Sequence, residues 1–181
     1  MCGDYRSTVN ASIKPTAYPL PTVAELLAIL RGGQIFSKID LTQAYQQLHF
    51  DKATSEMLTI NTIKGLYAVK RLPFGVSASP SIFQRFMDTL LAGLPGLCAY
   101  LDDILIMGAS NEEHLDRLEA VLQRLQQAGL KANKEKCIFG VREVQFLGYG
   151  VSSKGVEPTS EKVEEITSHQ NQQTSRNYSL F

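Results

Sequence analysis

The spacing of apolar positions changes several times along the chain, and each change marks an element. In "TVAELLAILRGG" leucines recur at helical spacing behind a capping-box pair, Thr22 and Glu25, and Gly32-Gly33 stops the helix. "QIFSKIDL" then alternates Ile35, Ser37 and Ile39 against Phe36, Lys38 and Asp40, which predicts a strand ending at or near Asp40. "MLTINT" and "LYAVKRL" predict two short strands around a Lys64-Gly65 turn. Helical spacing returns after Ser79-Pro80, with Ile82, Phe83, Phe86, Met87, Leu90 and Leu91 as its apolar stripe. It returns again behind Ser110 or Asn111, with Leu115, Leu118, Leu122 and Leu125 as the stripe and Gly129 as the stop. "CIFGVREVQFLGYGVS" predicts a further hairpin.

One stretch breaks the pattern. In "CAYLDDILIM" two acids, Asp102 and Asp103, interrupt an apolar run that otherwise reads as two short strands. An unpaired buried carboxylate is expensive, so the acids must lie on a turn in water or meet positive charge. The β-α-β order around them predicts an α+β fold, a short antiparallel sheet with helices packed on one side.

Composition narrows the picture modestly. Of 181 residues, 44% are hydrophobic and 20% charged, and the formal net charge is zero, so a nucleic-acid contact would need a local basic patch. Lys131, Lys134, Lys136 and Arg142 form one such cluster. The three cysteines, Cys2, Cys98 and Cys137, have neither zinc-site nor disulfide spacing and read as free thiols in a reducing, intracellular compartment. There is no signal peptide and no run of about 18 apolar residues that would cross a membrane. The final "TSHQNQQTSRNYSLF" loses all periodicity, and residues 167–181 read as a polar disordered tail.

If the strand ending at Asp40 lies beside the hairpin bearing Asp102 and Asp103, three carboxylates converge at one sheet end. Their repulsion makes that arrangement unfavourable unless divalent cations neutralise it, and hard oxygen ligands suit Mg²⁺ or Mn²⁺. An Asp-Asp pair is also common in solvated β-turns, so the pair alone does not decide.

Its company does. "FSKIDLTQAYQQL", "RLPFGVSASPSIFQRFM", "YLDDILI", "GLKANKEKCIF" and "FLGYGV" occur in this order, and together they resemble the reverse transcriptase of gypsy-type LTR retrotransposons from about Cys2 to about Ile166. The resemblance implies a polymerase palm with partial fingers: residues 1–166 as one domain, fingers at 1–16 and 48–78, palm at 17–47 and 79–166. It implies RNA-directed DNA polymerase activity by nucleotidyl transfer from a dNTP to a primer 3′-hydroxyl, with two Mg²⁺ or Mn²⁺ ions. Asp40 matches the family's first metal-binding aspartate. Asp102 and Asp103 match its Y-x-D-D turn, Asp103 acting more through orientation. Tyr45 would be the aromatic wall that excludes a ribose 2′-hydroxyl, with Phe74 and Gly75 lining the dNTP pocket. Phe146, Leu147, Gly148 and Tyr149 would be the primer grip, and Lys136 would protonate the leaving pyrophosphate.

The resemblance also has edges. The family's basic residue before "CGDY" is lacking, and its thumb, RNase H and integrase segments have no counterpart in "TSHQNQQTSRNYSLF". Two functions are therefore expected. One is a reverse transcriptase fragment acting on an RNA or DNA template-primer, in the cytoplasm, nucleus or a retrotransposon particle. The other is a truncated, non-catalytic remnant that at most binds nucleic acid. A nucleotide cyclase palm would carry Gly-Gly-Asp/Glu at the hairpin, which "YLDD" is not.

Overall fold

A computed structural model describes residues 5–12 and 18–164. The expected tail at 167–181, Cys2 and parts of the 1–16 segment lie outside the described residues. The element order is α1 (Val9–Ser12), α2 (Val23–Ile29), β1 (Ile35–Asp40), a 3-10 turn (Ala44–Gln47), α3 (Lys52–Met57), β2 (Ile60–Thr62), β3 (Gly65–Tyr67), α4 (Ser79–Leu90), β4 (Leu97–Tyr100), β5 (Asp103–Gly108), α5 (Asn111–Gln127), β6 (Ile138–Val141), β7 (Glu143–Phe146), β8 (Tyr149–Ser152) and β9 (Gly155–Pro158). Among the described residues no helix is long and apolar enough to cross a membrane.

The central sheet runs β4-β5-β1-β6, with every neighbour antiparallel. Its strands are covered on both faces, which is why β1 buries residues of both parities. On one face Ile39, Ile104 and Ile106 pack with Phe83 and Met87 of α4 and Val121 and Leu125 of α5. On the other, Phe36 and Leu105 pack with Leu26 and Leu30 at α2 and with Val144, Phe146 and Val151 of the β7-β8-β9 meander. The α+β reading thus holds for α4 and α5, while α2 and a second sheet close the opposite face. A smaller cluster, Tyr5, Leu58, Val76 and Ala78, joins the N-terminal segment to the α3 region.

Local chemistry explains the elements. Thr22 and Glu25 form the full capping box on α2. Pro80 occupies the first turn of α4, where its missing N–H is harmless. Ser110 caps α5 by accepting from the Glu113 amide.

Four elements differ from their sequence reading. The "ML" of "MLTINT" is not strand: Asp51 caps Thr54 at 2.7 Å and starts α3, which takes up Met57. Only Gly65–Tyr67 of "LYAVKRL" pairs with β2; the remainder runs beside residues 48–50 through Phe50 N to Lys70 O and Leu72 N to Leu48 O. On α5 the buried face is His114, Val121 and Leu125, whereas Leu115 and Leu122 of the expected stripe are exposed. Gly108 sets this rotation, since a Cβ there would meet His114 at 2.6 Å. Finally, the strand at 138–141 joins the central sheet instead of forming a hairpin with β7.

Candidate active site at the end of the central strands

Asp40 is the last residue of β1 and Asp103 the first of β5, and they face each other in register. Like charges directly opposed across a ladder repel. Two lysines answer them. Lys38 shares a face with Asp40 by strand alternation, and its Nζ lies 3.1 Å from Asp103 Oδ2, each side chain 21% exposed. Lys136 Nζ is 3.7 Å from Asp40 Oδ2, the lysine 67% exposed and the aspartate 15%. Burial pushes the Asp103 carboxyl up, Lys38 pulls it down, and neighbouring Asp102 and Asp40 push it up again. Its Oδ1 is buried without a hydrogen-bond partner.

Asp102 occupies the β4–β5 turn and is exposed. The turn is tight: Leu101 is left-handed at φ 53°, a conformation that costs a non-glycine residue about 1–2 kcal/mol. Two contacts hold it. The Leu101 amide donates to Gln84 Oε1 at 2.9 Å, and the Asp102 carbonyl accepts from the Leu41 amide at 2.8 Å. The puzzle of "YLDD" is thereby resolved: one acid stands in water and the other meets Lys38.

Tyr45 lies on the 3-10 turn after β1, entered through left-handed Gln43. Its ring packs on Phe74 and Phe83, with centroids 5.1 and 5.4 Å away. Burial raises its phenol pKa, and the Asp102 charge raises it further. Phe74 is 46% exposed, and Gly75 at φ 90° shapes the loop before α4. Asn10 pins that loop, donating to Gly75 O and accepting from the Ser77 amide, both at 2.9 Å.

Phe146 to Tyr149 form the β7–β8 turn in a separate sheet. Leu147 and Gly148 both have positive φ, the geometry of a two-residue hairpin turn. Phe146 is buried in the core and leaves Leu147-Gly148 at the tip. Lys134 is exposed.

The strands therefore bring together Asp40, Asp103, Asp102, Tyr45 and Lys136, while Phe146–Tyr149 sit on the neighbouring sheet. Among the described residues no group of three His, Cys, Asp or Glu side chains is gathered to hold a metal ion. Mg²⁺ is commonly held by one or two carboxylates, with substrate phosphates and water completing the shell. The unpartnered Asp103 Oδ1 is a further hard oxygen facing no donor.

Sequence reasoning missed Lys38, Asn10 and Gln84 as site residues. Lys38 had a signal, since alternation puts it on the face of Asp40. Gln84 had a weaker one, a polar residue inside the apolar "IFQRFM" of α4.

A family model described as "Reverse transcriptase (RNA-dependent DNA polymerase)" matches residues 2–151. The chain is 37% identical over 168 residues to the Transposon Tf2-3 polyprotein of Schizosaccharomyces pombe, which covers 92% of this chain and 12% of that protein. It is likewise 37% identical over 169 residues to uncharacterized protein K02A2.6 of Caenorhabditis elegans, 93% of this chain and 13% of that one. Among solved structures, a foamy viral protease–reverse transcriptase in complex with double-stranded DNA matches with TM-score 0.82 at 29% identity, over 91% of this chain and 29% of that one. A foamy viral protease–reverse transcriptase in complex with an RNA/DNA hybrid matches with TM-score 0.80 at 29% identity, over 91% and 22%. The chain spans a small part of the length of each of these relatives.

Proposed function

The chain belongs to the reverse transcriptase (RNA-dependent DNA polymerase) family, and we propose that the Asp40–Asp102–Asp103 end of its sheet is a nucleotidyl-transfer centre. The observation that carries the reading is the pairing of Asp40 with Asp103 in register, with exposed Asp102 on the adjoining turn. The two foamy viral enzymes were solved with double-stranded DNA and with an RNA/DNA hybrid. A template-primer of that kind is the substrate proposed here, together with a dNTP.

Asp40 and Asp102 would hold two Mg²⁺ or Mn²⁺ ions, with Asp103 completing or orienting the set. Bound there, the ions would supply the positive charge that assists in-line attack of a primer 3′-hydroxyl on the dNTP α-phosphate. The remaining work falls to the chain's own residues. Lys38 fixes Asp103 and keeps the opposed carboxylates from driving the strand ends apart. Tyr45, braced by Phe74 and Phe83, would stand against the sugar and clash with a 2′-hydroxyl. Phe74 and Gly75 would line the pocket beside it, with Gly75 allowing close backbone approach. Lys136, mobile enough at 67% exposure to leave Asp40, would offer charge and a proton to the departing pyrophosphate. Leu147 and Gly148, at a hairpin tip anchored by Phe146 and Tyr149, would press on the primer end. In these terms residues 17–47 and 79–166 act as palm and 1–16 and 48–78 as partial fingers, in the cytoplasm, the nucleus or a retrotransposon particle.

Primer extension on an RNA template, with dNTPs and Mg²⁺ or Mn²⁺, tests this. Extension by the 181-residue chain that Asp102→Asn and Asp40→Asn abolish is the expected result. Binding of template-primer without extension would leave the non-catalytic reading in its place.

A further inference from the structure

Gln84 is fully buried on α4, yet three of the four hydrogen-bonding positions of its amide are used. Nε2 donates to the Ala99 carbonyl at 2.9 Å and to Asp88 Oδ1 at 2.8 Å. Oε1 accepts from the Leu101 amide at 2.9 Å. The orientation of the amide is forced. Asp88 and the Ala99 carbonyl can only accept, so the nitrogen must face them and the oxygen must face Leu101. Asp88 is itself steadied by Tyr18, whose hydroxyl donates to Oδ2.

The residue held by this clamp is the strained one. Leu101 is left-handed without being glycine, and such a residue persists only where its surroundings over-determine it. An apolar side chain of the same size at position 84 would fill the same buried space but would leave the Leu101 N–H unpaired. Burial of an unpaired amide is what a turn of this shape least tolerates. The next residue is Asp102, whose carbonyl is tied to Leu41 from the other side.

We propose that Gln84 is a positioning residue for Asp102. Oriented by Asp88, its amide holds Leu101 left-handed and so fixes where the Asp102 carboxylate stands relative to Asp40. The proposal rests on the reading of Asp102 as a metal-holding carboxylate. Without the clamp the turn relaxes, and the two acids cease to be preorganised for a cation although both remain present.

The test uses the 181-residue chain with two readouts, neither of them activity: Mn²⁺ uptake followed by electron paramagnetic resonance, and hydrogen exchange of the Leu101 amide. Gln84→Met keeps the volume and removes the clamp. Mn²⁺ affinity should fall about 10- to 100-fold, as for residues that orient metal ligands, and Leu101 exchange should accelerate while circular dichroism is retained. Because position 84 is in the core, an exposed pair supplies a second arm. Asp88→Ala removes one of the two acceptors that hold Nε2, leaving the amide less firmly seated, and should weaken Mn²⁺ uptake, whereas Asp88→Asn, whose amide oxygen still accepts from Nε2, should restore it. Unchanged Mn²⁺ affinity in Gln84→Met, or equal behaviour of the two Asp88 variants, overturns the proposal. If the unsubstituted chain takes up no Mn²⁺, or if Asp102→Asn does not reduce uptake, the polymerase reading fails by itself. Gln84 is then judged on Leu101 exchange alone, where lost protection in Gln84→Met upholds its hold on the turn and unchanged protection refutes it.

Discussion

Lys38 Nζ lies 3.1 Å from Asp103 Oδ2, diagonally across the β1–β5 ladder from the rung where Asp103 meets Asp40. The lysine is thus an internal counter-charge for a pair of opposed acids. Its partner is mostly buried, so removing the ammonium leaves an uncompensated carboxylate.

Lys38→Met should therefore destabilise the chain by about 1–3 kcal/mol, less than the full cost of orphaning a wholly buried charge because both side chains keep some solvent. Adding Asp103→Asn should recover part of that loss. Urea unfolding of the two single variants and the double variant measures the coupling. Additive losses would show that the pair does not interact in solution.

At Tyr45 the ring, and not the hydroxyl, is the expected wall. Tyr45→Val should raise ribonucleotide incorporation relative to deoxyribonucleotide on the order of 10²-fold, and Tyr45→Phe should leave the ratio unchanged. Competing dNTP and rNTP incorporation into one primer measures both. A large change in Tyr45→Phe would place the discrimination on the hydroxyl instead.

Much of this site was legible because strand alternation is simple. Asp40 at the end of "QIFSKID" and the acids of "YLDD" at a hairpin follow from period and turn chemistry alone. Other features depend on contacts between distant segments. The α5 stripe could be read through Leu115 and Leu122 or through His114 and Val121, both at helical spacing. The choice was made by the close approach of Gly108 to His114 and by a 2.8 Å hydrogen bond between His114 Nε2 and Ser37 Oγ. Gln84 was harder still, since its partners are two backbone groups of a hairpin and a side chain on its own helix. The basic run "VKRL" kept its extended form but found its partners at Leu48 and Phe50, which local propensity does not specify.

His114 carries an acid-sensitivity prediction. Burial, and then the Arg117 guanidinium, hold its imidazole pKa below the ordinary value of 6.5. Below pH 6.5 the unfolded chain takes up a proton there before the folded chain does, so stability falls as pH drops through that range. The slope from this residue is at most about 1.4 kcal/mol per pH unit. His114→Gln, which can still bond to Ser37, should flatten the difference in urea midpoint between pH 7.5 and 5.5. An unchanged difference would assign the acid sensitivity to other groups.

Cys98 is 3% exposed between β4 neighbours, and burial pushes its thiol up to about 12. The reactive thiolate is then scarce at neutral pH and also inaccessible. Alkylation at pH 8 followed by peptide mapping should leave Cys98 unmodified in the folded chain and modify it in urea. Rapid labelling of the native chain would mean that the β4 edge opens readily.

Leu147 joins strain, packing and binding at one residue. It takes φ 52° in the two-residue turn between Phe146 and Tyr149, and Gly148 follows at φ 78°. Turns of this kind favour Asn-Gly, because asparagine tolerates the left-handed region that leucine resists. Leu147→Asn should therefore relieve about 1 kcal/mol of strain. The side chain is also half-buried against the Val144, Phe146 and Val151 cluster, so the substitution loses packing of about the same size. Leu147→Asn should accordingly leave the urea unfolding midpoint nearly unchanged and lower affinity for a primer-template duplex in the same preparation. An unchanged midpoint with unchanged duplex affinity would remove Leu147 from the primer contact and leave the hairpin a purely structural cover for the sheet.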